Sequence, residues 1–429
     1  MKTLIDRRQR TARPTNLGQI VQSGLCMGCG LCQSIAGKET IEFVTTREGR
    51  VRPIERRPIS ASDWAVIERT CPGLNVIGGD DTDQFASTKH DQVWGRHLRI
   101  VIGHASDPEV RYRATSGGTL TALSRYLIQA GHVDFILQVR ASKDRPMRSE
   151  TVMSFHDGDI VTSAGARYGP TSPLDGVKEA LDQGKPFGFV GKPCDIAGLR
   201  LYAREDHRVS QYCKMMLSLQ CGGGPEFQKS RDLVHDLGLR EEDVTLMRYR
   251  GYGNPGRARI EARDGRAFEL TYLQMWDDES KWCSQSRCRI CPDGIGECAD
   301  MVVGDYWPGC VPQGEDAGFN SIMVRTGRGI DLFDQAVNAG VLTVVRDLDI
   351  QDMTDTQPHQ VRKKAELWAR LAGMRAAGHL VPEIQGLRLR EIAAEQSFLQ
   401  NVRAARGARL RCHRGRFSEP PAIDVKVSG

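Results

Sequence analysis

Aromatic side chains are scarce, at 6% of the 429 residues, and no apolar run approaches the ~20 residues that cross a bilayer as a helix. A membrane span is therefore not expected. Arg7, Arg8 and Arg10 stand near the N-terminus, but no apolar stretch follows them, so the core of a secretory or twin-arginine signal is missing. No internal repeat is visible, which excludes a solenoid or a duplicated small domain. Neither sign of charge dominates: the net charge of +5 favours an acidic partner, an electron carrier or a nucleic acid, without choosing between them. Hydrophobic content of 40% and charged content of 26% are those of a folded chain, which excludes wholesale disorder. The length exceeds what one core usually supports, so several units are expected.

Cysteine is what the chain has in plenty. Thirteen are present, and their grouping points to metal ligation rather than to a disulfide framework, hence to a reducing compartment and a cytoplasmic location. Residues 1–88 are rich in turns and charges and hold four cysteines; a cofactor is expected to organise them as a ferredoxin-type domain. From about 97 the pattern becomes α/β. Apolar runs at 97–105, 133–141, 186–190 and 215–220 alternate with helical stretches at 116–130, 173–183 and after Cys194, which implies a parallel or mixed sheet in 89–225. A third segment, 226–345, carries a helix at 227–237, strands at 258–262 and 267–272 joined at Asp264-Gly265, and a second cysteine-rich loop. The segment 346–429 reads as a helical, basic tail with six arginines between Arg403 and Arg416 and no acidic residue among them, a solvated face or a frayed end.

Cys26, Cys29 and Cys32 form a C-x2-C-x2-C run, with Cys71-Pro72 following at a distance. Three thiolates on one glycine-containing loop and a remote Cys-Pro suit a [4Fe-4S] cubane as in bacterial ferredoxins. Gly28 and Gly30 let backbone N–H groups approach its sulfides. A structural zinc site usually pairs two separate C-x2-C hooks instead. Cys283, Cys288, Cys291 and Cys298 follow in the order C-x4-C-x2-C-x6-C, and by spacing alone these four hold a second cluster. Zinc is an alternative there, as is the cluster loop of some DNA glycosylases. The glycosylase alternative requires an almost all-helical chain with groove-reading elements, which the strand-rich middle lacks, so no nucleic acid is expected. Cys194 and Cys221 each stand where an apolar run ends in a turn, the place where ligands collect in α/β sheets; a lone cysteine there is otherwise packing.

In these motifs the chain resembles the coenzyme F420 hydrogenase/dehydrogenase beta-subunit family, which includes ferredoxin-dependent chlorophyll-pathway reductases. The resemblance covers most of residues 20–310 and is carried by Cys26–Cys32, Thr115-Ser116-Gly117-Gly118, Gly191-Lys192-Pro193-Cys194-Asp195, Cys221-Gly222-Gly223, and Cys288-Arg289-Ile290-Cys291-Pro292-Asp293 leading to Ala299-Asp300. It implies a flavin, usually FAD rather than FMN, beside one [4Fe-4S] cluster, and a second cluster in the N-terminal extension. It also implies Cys194, Cys221, Cys288 and Cys291 as the flavin-proximal ligands, against Cys283 and Cys298 of the contiguous spacing.

The same resemblance directs Thr115, Ser116, Gly117 and Gly118 to a flavin phosphate at a helix N-terminus, with Arg111 and Arg113 as neutralising charges. Lys192 would place a positive charge near the ring. Arg167-Tyr168 and Arg248-Tyr249-Arg250 are basic-aromatic turns suited to a planar ring or an anionic substrate. Asp305 has no evident role from the sequence. The expected activity is electron transfer from a reduced carrier, ferredoxin or F420, through two clusters to a flavin that reduces a small-molecule substrate. The alternative is a non-catalytic beta subunit of a larger hydrogenase or dehydrogenase complex. A partner subunit or homo-oligomer fits either reading.

Overall fold

The computed structural model describes residues 13–79, 88–276, 278, 281–312 and 314–423; Arg7, Arg8 and Arg10 lie outside these described residues. The apolar runs build one eight-stranded sheet. Its strands are β1 (Arg99–Ala105), β2 (Phe135–Ala141), β3 (Ser149–Ser154), β4 (Phe187–Gly191), β5 (Cys213–Leu219), β6 (Met301–Asp305), β7 (Asn320–Val324) and β8 (Leu342–Asp347). Their spatial order is β8-β1-β7-β6-β5-β4-β2-β3. Neighbours among β2, β4, β5 and β6 pair in parallel. β3, β7 and β8 join antiparallel, and β1, paired antiparallel to β7, runs with the central four. Five strands therefore end at the same edge, and the sheet is mixed, as expected.

Successive residues of a strand face opposite sides, and both sides are apolar here. Met215 and Leu217 join one core with Val101, Ile136, Met301 and Ile322; Met216 joins the other with Phe135, Phe187, Phe189 and Val302. Helices α1 (Thr119–Gln129), α2 (Pro193–Tyr202) and α3 (Gly327–Asn338) cover these faces. Leu123 of α1 and Phe333 of α3 pack on the first core, and Ile196 and Leu199 of α2 on the second. Each such large side chain contributes about 1.5–3 kcal/mol on burial. The first helix begins at Thr119, three residues later than expected. Ser116 (φ 53°) and Gly118 (φ 73°) adopt left-handed backbone, so 115–118 remains a loop.

Strands 244–248, 258–262 and 267–270 form a separate antiparallel sheet over its own core of Phe227, Met247, Tyr249 and Ile260. The cores do not follow the four segments expected from the sequence. The large sheet takes β6 and β7 from the third segment and β8 from across its boundary with the fourth. The tail is not a unit of its own: Leu367, Leu371, Met374 and Ala408 share one core with Leu17, Ile20, Ile41 and Ile67 of the N-terminal segment. Its helices α4 (Pro358–Ala376) and α5 (Phe398–His413) approach closely where Gly373 faces Ala405, leaving no room for a Cβ. Strand 383–385 adds in parallel to 75–77. Arg52, fully buried, donates to both carboxylate oxygens of Glu419 at 2.8 and 2.9 Å, fastening the end of the tail to the N-terminal hairpin. No helix among the described residues is long and apolar enough to cross a membrane.

Candidate cluster and flavin site

Cys26, Cys29, Cys32 and Cys71 line a single cavity with Leu17, Ile20, Ile35, Phe43 and Ile67. Local backbone explains the convergence. Gly28 and Gly30 take φ of 73° and 94°, turning the loop so that helix 31–36 starts inside the run and carries Cys32, while Cys71 caps helix 61–70. Burial raises all four thiols, Cys26 to about 11, with Cys71 adding to the rise at the other three. Among the described residues no three His, Cys, Asp or Glu side chains close on one point as a single ion requires. These four thiols stand around a space instead. An apolar cavity walled by four cysteines and left-handed glycines fits a cubane, which asks for four separate thiolates and nearby N–H groups.

The second set is assembled at the carboxyl edge of the sheet. Cys194 lies in the first turn of α2, just past β4, and Cys221 lies two residues past β5. Cys288 and Cys291 come from the turn at 286–290 and its C-cap. Burial raises Cys194, Cys221 and Cys291; the other members of the set add to each, Cys288 and Cys291 at Cys221 and Cys221 and Cys291 at Cys194. Gly224 N donates to Cys288 Sγ at 3.3 Å and Cys221 N to Gly294 O at 2.8 Å. The contiguous spacing is not what converges. Cys298 is buried elsewhere, its thiol donating to the carbonyls of Ile77 and Gly78 at 3.0 and 3.2 Å. Burial raises the Cys283 thiol, with Glu226 and Asp232 adding to the rise.

Beside Cys221 the strand ends carry a group of polar and aromatic side chains. Asp305, at the end of β6, accepts from the Ser116 hydroxyl and from Arg250 at 2.9 Å. Arg250 also reaches the Tyr168 hydroxyl at 3.4 Å, Ser116 Oγ at 3.3 Å and Pro255 O at 2.8 Å. Its guanidinium lies over Tyr272 and Trp307, 5.3 and 4.9 Å from their ring centroids. Burial raises the Tyr168 phenol, Arg250 opposes, and both Asp305 and Cys221 add to the rise, which ties this group to the second cysteine set. Lys192 caps α2, donates to Thr171 Oγ1 at 2.7 Å and pairs with Asp195 at 2.7 Å; Cys194 and Cys221 act on its ammonium. The carboxamide of Gln220 is buried without a partner, against Gly304, as is the Thr119 hydroxyl.

Gly117 packs so tightly on Asn320 that a Cβ would lie 2.7 Å from its side-chain oxygen. Gly118 caps α1, and Thr115 is half-buried with its carbonyl accepting from Gly118 N at 3.2 Å. Three expected contacts are taken up elsewhere. Arg167 commits four of its N–H groups to Ser149 Oγ and the carbonyls of Met247, Pro146 and Arg148, stapling β3 to the small sheet. Arg113 pairs with Glu109 on the surface, and Arg111 holds Gly318 O. Sequence reasoning missed Tyr272, Trp307 and Gln220, and left Asp305 without a role. Their only sequence signal was position just past an apolar run or in a loop between strands.

Residues 100–178 match the N-terminal region of the family described as coenzyme F420 hydrogenase/dehydrogenase, beta subunit, and residues 184–349 match the C-terminal region of the same family. The coenzyme F420 hydrogenase subunit beta of Methanothermobacter thermautotrophicus is 24% identical over 255 residues, 58% of this chain and 84% of that protein. The coenzyme F420-dependent sulfite reductase of Methanocaldococcus jannaschii is 22% identical over 357 residues, 78% of this chain and 50% of that protein. A chain in a solved structure of the F420-reducing [NiFe] hydrogenase complex from Methanosarcina barkeri aligns at 20% identity with a TM-score of 0.48, covering 65% of this chain and 95% of that one. With both family regions matched in order over more than half its length, this chain belongs to the coenzyme F420 hydrogenase/dehydrogenase beta-subunit family.

Proposed function

We propose that this chain is an iron–sulfur flavoprotein oxidoreductase of the reducing cytoplasm, in which two [4Fe-4S] sites connect an electron carrier to a flavin at the carboxyl edge of the sheet. The observation that carries the reading is the convergence of two separate sets of four cysteines, one of which meets an arginine, a carboxylate and aromatic rings at the strand ends. Cys26, Cys29, Cys32 and Cys71 would hold one cluster, and Cys194, Cys221, Cys288 and Cys291 the other. When bound, the clusters carry single electrons and FAD takes up or releases two. Lys192, oriented by Asp195 and Thr171, keeps a positive charge beside the second set. Ser116, Arg250 and Asp305 form a buried polar floor, while Tyr168, Tyr272 and Trp307 offer flat walls for a planar ring. Thr115, Gly117 and Gly118 bring the backbone at the start of α1 to the same edge. In this role Arg250 replaces Arg167.

The names of the relatives favour F420 as the carrier over ferredoxin, with a small molecule as substrate. They also favour a second reading, an electron-transfer subunit within a larger complex, because the hydrogenase relative is named as a beta subunit. Anaerobic purification from the native source tests both. The first reading expects about eight irons and eight sulfides per chain, one released flavin, and bleaching of the flavin band by reduced F420. Zinc, one cluster, or no flavin would overturn it. Co-purification with stoichiometric partner chains would establish the second reading.

A further inference from the structure

We infer that Arg287 is a shared counter-ion, placed between the two cysteine sets so that one buried guanidinium sets the reduction potential of both. The inference rests on the proposed occupancy of both sets by [4Fe-4S] clusters.

Arg287 is only 3% exposed. Its Nη1 donates to Ile290 O at 3.2 Å and its Nη2 to Pro72 O at 3.3 Å. Ile290 immediately precedes Cys291, and Pro72 immediately follows Cys71. One side chain therefore bonds to the backbone next to a ligand of each proposed cluster.

The two bonds go to neutral carbonyls, Nε is buried with no partner at all, and no carboxylate among the described residues pairs with the group. Arg52, Lys364 and Arg250 are neutralised by Glu419, Glu297 and Asp305, and Arg325, which also bonds only to carbonyls and has an unpartnered Nε, still lies in the field of Glu297 and Asp293. An isolated buried charge costs several kcal/mol unless something of opposite sign offsets it. Four thiolates around a cubane leave a net negative site whichever redox state it holds, and each set would supply that charge. In return, a fixed cation in a low-dielectric interior stabilises the more negative, reduced state. Because the guanidinium lies between the sets, it raises both potentials together.

The test is a potentiometric titration followed by electron paramagnetic resonance on the anaerobically purified full chain, with dithionite and mediator dyes. Iron and sulfide analysis of the unsubstituted protein comes first; fewer than two clusters would sink the cofactor reading itself, a separate failure. Arg287→Lys retains the charge, and Arg287→Gln and Arg287→Met remove it. The neutral variants are expected to show both signals harder to reduce, with the reduced-to-oxidised ratio at a fixed potential lower by on the order of tenfold, equivalent to about 59 mV for a one-electron couple. Arg287→Lys should remain within about threefold of the parent, roughly half that shift. If both neutral variants lose iron while Arg287→Lys keeps it, the charge requirement is equally supported. A neutral variant with full iron and unmoved potentials, a shift confined to one signal, or iron loss in Arg287→Lys as well would overturn the inference.

Discussion

At the scale of single residues, the disposition of thirteen cysteines separates ligand candidates from packing. Cys221 lies just past a buried strand, near Cys288 and Cys291, whereas Cys298 is spent on two carbonyls of the 77–78 segment. Cys221→Ala should therefore remove about four of eight irons, and Cys298→Ala should leave iron content nearly unchanged. Iron analysis of the two anaerobically purified variants checks this. A three-iron resonance in the Cys298 variant, with a normal spectrum in the Cys221 variant, would restore the contiguous set. Cys310 contacts His359 Nδ1 at 3.6 Å, but burial lowers that imidazole to about 4 and raises the thiol, so both remain neutral and the pair is not an activated nucleophile.

At the scale of elements, the amino edge of the central strands, opposite the candidate site, is held in register by one buried carboxylate. Asp300, just before β6, accepts from Met216 N of β5 at 2.7 Å, Arg200 of α2 at 2.9 Å, and Thr326 and Arg328 at the start of α3 at 2.9 and 2.7 Å. It thus ties β5 and β6 to a helix on each face of the sheet. Asp300→Ala removes one carboxylate acceptor from two arginines and leaves a buried N–H unpaired, at a cost of about 3 kcal/mol. The cost is held down because both arginines reach solvent in part. Asp300→Asn keeps the acceptor oxygen and should lose less. Denaturant unfolding midpoints rank the two variants, and equal losses would show that the charge carries the whole effect. The Ala299-Asp300 pair that marks the family in the sequence is thus a structural clamp in this fold.

At the scale of the molecule, the N-terminal segment and the tail are one packed body laid against the α2 face of the sheet. Ser172 Oγ donates to Gly28 O at 2.7 Å, Leu174 N to Cys29 O at 2.9 Å, and Ser34 Oγ to Leu174 O at 2.7 Å, so the first cysteine loop is seated directly on the central domain. Glu419 closes the arrangement from the other side through Arg52. Removing one partner of a buried pair leaves an uncompensated charge, so Glu419→Ala should lower stability by about 3–5 kcal/mol. Glu42→Ala, which removes a half-exposed partner of Arg56, should cost under about 1 kcal/mol. Urea unfolding of both variants checks the contrast, and equal losses would show that the Arg52 pair is not a fastening.

The local backbone was legible in the sequence: the turning C-x2-C-x2-C run at Cys26–Cys32, the strands before Cys194 and Cys221, and the turn at Asp264-Gly265. Each depends on neighbours within a few residues, where turn residues and apolar runs determine the backbone. Strands β3, β6, β7 and β8 were not legible, because short strands derive their stability from partners far away in the chain. Whether Cys298 or Cys194 joins Cys288 and Cys291 was equally undecidable from spacing, since a cluster needs convergence in space and not in sequence. Arg250 and Asp305 stand 55 residues apart, and Arg287 joins two loops 215 apart. Sequence alone determined which residue types were available for ligation. Only tertiary packing decided that Cys221 stands near Cys288 and Cys291 while Cys298 turns to the 77–78 carbonyls, because burial and charge compensation are properties of the assembled interior.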